Sequence, residues 1–71
     1  MTDELEVAIK NMIAKILASK PRPRFWLINE CVRRLEDQVD DESVNHIVQT
    51  LLNAEKLTSS IVDGVEIIAM A

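Results

Sequence analysis

Chemistry has few places to reside in this chain. It holds one cysteine, Cys31, and one histidine, His46. A thiol activated by imidazole needs both groups within hydrogen-bond reach. The apolar spacing instead puts Cys31 on the inner stripe of one helix and His46 on the outer face of the next, turned away from each other. No second Cys or His is present to complete a zinc site. The run Asp40-Asp41-Glu42 lacks calcium-loop spacing and reads as a helix start. A single glycine, Gly64, cannot build a phosphate-cradling loop. No enzyme activity, cofactor or metal is expected. What remains are side chains that can read a surface. Asn45, His46, Gln49, Thr50 and Asn53 share one helix face, and Asn and Gln can pair bidentately with adenine. Lys20, Arg22 and Arg24 put three cations in five residues. They can hold backbone phosphates, or simply solvate a stiff connector.

The whole composition limits that reading. The chain has 71 residues, 48% of them apolar, and is expected to form one domain over residues 1–71. Eight Lys and Arg stand against twelve Asp and Glu, for a net charge of −4. That balance disfavours non-specific binding of polyanions. One cysteine makes no internal disulfide, which suits a reducing cytoplasm. The acidic start Met1-Thr2-Asp3-Glu4 is not a signal peptide, and no run approaches the length of a membrane span.

The elements that must position these residues follow from periodicity. Leu5, Ala8, Ile9, Met12, Ile13 and Ile16 form the buried stripe of a first helix, capped by Thr2 or Asp3 and ending near Ser19. Pro21 and Pro23 break it. The apolar run Phe25-Trp26-Leu27-Ile28 is predicted as a short strand. Asn29 then caps a short helix from Glu30 to Gln38, with Cys31, Val32 and Leu35 inward. The clearest helix spans Val39 to Leu57, with Val44, Ile47, Val48, Leu51 and Leu52 on its apolar face. Asp40 caps it, Asp41 and Glu42 sit at the positive end of its dipole, and Val39 staples onto Val44. After Leu57 the period changes to two. Asp63-Gly64 between β-branched runs predicts a tight hairpin, with Val62 opposite Val65 and Ser60 opposite Ile67.

In this order the elements resemble the winged helix-turn-helix superfamily over nearly the whole chain. Phe25–Ile28 matches its first small strand, Asn29–Gln38 its second helix, Asp40–Leu57 its recognition helix and Thr58–Met70 its wing. The resemblance implies an α+β fold of three helices and a small antiparallel sheet, in the order α-β-α-α-β-β. It implies a small DNA-binding protein, a regulator of transcription or replication, presenting helix 41–56 to the major groove. Asn45, His46, Gln49, Thr50 and Asn53 would then face bases and phosphates, with Lys20, Arg22 and Arg24 on the backbone. Two departures point elsewhere. The wing is cut to a two-residue turn with Asp63 at its tip, and Asp40, Asp41 and Glu42 crowd the helix end that faces DNA in this superfamily. They favour the fold's other use, as a protein-interaction module. Both faces of the hairpin are also apolar. A homodimer or a complex with another protein, burying Trp26, Ile61, Ile68 and Met70, is therefore expected.

Overall fold

The computed structural model describes residues 3–71. It is an α+β fold of three helices and a three-stranded antiparallel sheet. Helix α1 spans Asp3–Leu17 and is followed by β1 at Arg22–Pro23. Helices α2 (Arg24–Arg34) and α3 (Asp41–Asn53) come next, then the hairpin of β2 (Leu57–Val62) and β3 (Val65–Met70). The element order is the expected one. A cap by Thr2 lies outside the described residues, and Asp3 is the first residue of α1.

Two boundaries differ from expectation. Phe25-Trp26-Leu27-Ile28 is the first turn of α2, not a strand, and the strand is the dipeptide before it. The apolar run misleads because Leu27, Ile28, Cys31, Val32 and Leu35 already recur at helical spacing. Leu27 and Cys31 are fully buried one turn apart, and the other three pack against the core. Pro23 is the N-cap, at φ −59° and ψ 143°. Its ring fixes φ, and its missing N–H costs nothing at a helix start. Asn29 is consequently not a cap but an exposed residue inside α2.

Both α2 and α3 also end earlier than expected. Each stops on a residue with positive φ, Glu36 at 54° and Glu55 at 61°. After α2, the Glu36 amide donates to Arg33 O and the Asp37 amide to Val32 O. After α3, the Glu55 amide donates to Leu52 O and the Lys56 amide to Leu51 O. These are paired Schellman closures with glutamate where glycine is usual.

The start of α3 is as expected. The Asp40 side chain accepts from the Ser43 amide at 2.8 Å. Val39 and Val44 both join the core.

The hairpin turn is also as expected. Asp63 and Gly64 have φ of 52° and 79°, and Val62 pairs with Val65 and Ser60 with Ile67. Positive φ at both central residues is the type I′ arrangement that matches strand twist. Strand β3 is central, with β2 on one side and β1 on the other. Ile68 pairs with Ser59 and Arg22. Its side chain is fully buried, as Leu57 nearly is, so this face of the hairpin covers the helices. Alternation then puts Val62, Val65, Ile67 and Ala69 on the far face. The core is closed by Ile9, Ile13, Ile16 and Leu17 of α1 against Val44, Ile47 and Val48 of α3. Among the described residues no helix is long and apolar enough to cross a membrane.

Candidate interaction surface

Helix α3 is buried along Val44, Ile47 and Val48, so its opposite side faces outward. Asn45, Gln49 and Asn53 stand there four residues apart, in one line. His46 and Thr50 form the neighbouring line. All five are exposed. The hairpin brings Glu66 and Ser59 beside the first line, and the start of α2 brings Arg24.

Arg24 ties these three elements together. Its Nε donates to Asn45 Oδ1 at 2.9 Å and Nη2 to Gln49 Oε1 at 3.1 Å. Its Nη1 reaches both carboxylate oxygens of Glu66 at 3.4 Å. Gln49 Nε2 passes a hydrogen bond on to Asn53 Oδ1 at 3.0 Å, and Ser59 Oγ donates to Glu66 Oε2 at 2.6 Å. A planar guanidinium fork can satisfy several acceptors in fixed directions, which a lysine could not. Only 19% of the Arg24 side chain is exposed.

The basic loop therefore does not act as one cluster. Lys20 is exposed. Arg22 is half-buried with its guanidinium carbon 4.5 Å above the Trp26 ring centroid, a cation–π contact. Arg24, expected on a phosphate, is bound to its own α3 and hairpin. The remaining α2 cations are also paired. Arg33 Nε lies 2.6 Å and Arg34 Nη2 3.4 Å from the Glu30 carboxylate. The Arg33 hydrogen bond, aided by both positive charges, holds the Glu30 carboxyl below its usual range. Thr50 spends its hydroxyl proton on His46 O within α3, at 2.9 Å.

Three acidic groups crowd the α3 start. Hydrogen bonds from Ser43 keep the Asp40 carboxyl below its ordinary value. Asp41 and Glu42 border an open hollow of about 480 Å³ together with Phe25, Ile28, Asn29 and Asn45. A second hollow of about 310 Å³ continues past Phe25, Ile28 and Asn45 to Arg24 and Glu66.

The residues expected at a protein interface are not one exposed patch. Ile68 is core, which corrects its place on an outer face. Trp26 is half-buried under Arg22. Ile61 and Met70 are exposed, but their partners Glu66 and Leu57 lie at opposite ends of the hairpin. The four do not form one patch because the segment carrying Trp26 is helical and because the hairpin turns the Ile68 face inward.

Cys31 is fully buried and burial pushes its thiol up to about 11, so it is a core residue and a poor nucleophile. Among the described residues no group of three His, Cys, Asp or Glu could hold a metal ion. Glu66 and Phe25 were not singled out from sequence. Glu66 carried a signal, being the one charge inside an apolar strand. No family model matches the chain, and no curated protein or solved structure shows significant similarity to it.

Proposed function

We propose that this chain is a small winged-helix module that docks another protein through the front of α2 and α3. The observation that carries the reading is the commitment of Arg24 to Asn45, Gln49 and Glu66. Cations supply most of the affinity of a protein for DNA. The surface that would meet a duplex offers Asp41, Glu42 and Asp63, and its one central arginine is already bound by three side chains. A protein partner needs no such cationic supply. It is served by neutral amides, a few charges and exposed apolar area in one place.

A second reading has its own support. The line Asn45, Gln49, Asn53 beside a short hairpin has the donor and acceptor chemistry to read adenine. In that reading Gln49→Ala and Asn53→Ala relax sequence preference, and Lys20→Ala flattens the salt slope.

Fluorescence anisotropy with mixed-sequence duplex DNA, titrated in salt, separates the two. Protein docking predicts binding weaker than about 10⁻⁴ M at physiological salt, outside the range of non-specific DNA binders. Micromolar binding with a steep salt slope overturns it.

A further inference from the structure

Two hollows run together along the seam between α2 and the start of α3. They share Phe25, Ile28 and Asn45. Phe25 is 63% exposed in a chain with only two aromatic residues. A solvated phenyl ring beside a half-buried isoleucine is apolar area that folding leaves uncovered. Aromatic side chains in such hollows are the usual anchors of protein interfaces.

The charge on the rim that makes no ion pair is of one sign. Asp41 and Glu42 border the larger hollow, and neither makes an ion pair among the described residues. Glu66 borders the smaller one. The cation at the rim is Arg24, and its guanidinium is engaged by Glu66, Asn45 and Gln49. The positive end of the α3 dipole is already answered by the Asp40 cap. Asn29 and Asn45 add only neutral dipoles. The seam is thus an apolar floor with unanswered negative charge at the α3 end.

From this charge pattern we infer that the seam takes a cationic amphipathic segment of a partner protein. Apolar side chains of the segment cover Phe25 and Ile28, and its Lys or Arg groups meet Asp41 and Glu42. The inference rests on the protein-docking reading and adds the chemistry of the partner. A segment that lays one apolar face into a groove between helices is a common recognition mode. Charge of opposite sign at the rim sets orientation and excludes acidic competitors. Nucleic acid is repelled by the same rim.

The test uses the full chain, ¹⁵N-labelled, and two synthetic peptides of about 14 residues, long enough for a helical turn pattern. One peptide carries Leu and Lys, the other Leu and Glu in the same pattern. The Lys peptide should shift the amide signals of Phe25, Ile28, Asp41 and Asn45, while the Glu peptide leaves them in place. Asp41→Asn with Glu42→Gln should weaken the Lys peptide about tenfold, and added salt should weaken it further. Phe25→Ala should weaken it by a similar factor. Phe25 is largely exposed, so the variant keeps its core, and an unchanged amide spectrum elsewhere verifies this.

Equal shifts from both peptides, or shifts confined to the hairpin, overturn the inference. A seam that prefers the Glu peptide overturns the partner's charge but leaves protein docking standing. No seam shifts from either peptide, together with shifts of Asn45, Gln49 and Asn53 on adding duplex DNA, overturn both.

Discussion

Arg24 decides most at the scale of single residues. Read from sequence, it is one of three cations in a proline-rich loop, with nothing to distinguish it from Lys20. In the fold it is the first residue of α2 and faces α3 and the hairpin together. Its bonds to Asn45 and Gln49 are well formed, while the contact to Glu66 at 3.4 Å is looser and partly solvated. Arg24→Ala should cost about 1–2 kcal/mol in urea denaturation, since it also leaves Glu66 without its cation. Arg24→Lys should recover only part of this, because an ammonium cannot reach three acceptors in fixed directions. A variant as stable as the parent would mean that the network contributes nothing.

Two features stand out among the elements. Both Schellman closures place glutamate where a left-handed backbone is needed, in a chain whose one glycine is used in the hairpin. An L-residue with a Cβ is strained there. Glu36→Gly and Glu55→Gly should therefore each stabilise the fold by about 0.5–1 kcal/mol, the relief being offset in part by the freer unfolded glycine. Thermal unfolding of the single and double variants measures this, and a lower Tm in both would contradict it. The second feature is the orientation of the hairpin. Ile68 faces the helices and Ile67 faces away. Ile68→Ala should cost about 2–5 kcal/mol, a large share of what a domain this size can have. Ile67→Ala should cost far less. Comparable losses would mean that the sheet is covered on both sides.

Charge placement matters most for the whole molecule. The net charge of −4 would be harmless to DNA binding if the cations were gathered on one face. They are instead scattered, with Lys10 on Glu6, Arg33 and Arg34 on Glu30, Arg24 on Glu66, and Arg22 on Trp26. Under the protein-docking proposal, charge rather than the shape of α3 beside a hairpin is what opposes a duplex. Reversing Asp41, Glu42 and Asp63 to Lys changes the net charge by six units while touching only exposed positions. The triple variant should gain duplex binding that weakens with salt at a slope of about −0.9 per phosphate contact. No binding by the triple variant at low salt would mean that shape is the obstacle.

The sequence by itself determined the elements whose signals are local. Asp40 capping Ser43, the helical stripe Val44, Ile47, Val48, and the Asp63-Gly64 turn with its register are all fixed by neighbours within a few residues. So was the burial of Cys31, from its place on an apolar stripe. The order of the three helices and the hairpin followed from the same periodicities, but the first strand did not, since it lies at Arg22–Pro23, in the stretch read as a connector. Tertiary structure decided the rest. The run Phe25–Ile28 satisfies a strand pattern and a helix pattern equally well over four residues, and only packing of Leu27 and Cys31 into one core selects the helix. The ends of α2 and α3 had no glycine to announce them, because closure of the last turn depends on backbone conformation that glutamate adopts under tertiary constraint. Which hairpin face turns inward cannot be read when both are apolar. The role of Arg24 was hidden for the simplest reason. Its partners lie 21, 25 and 42 residues away, and no local rule says which cation will find them.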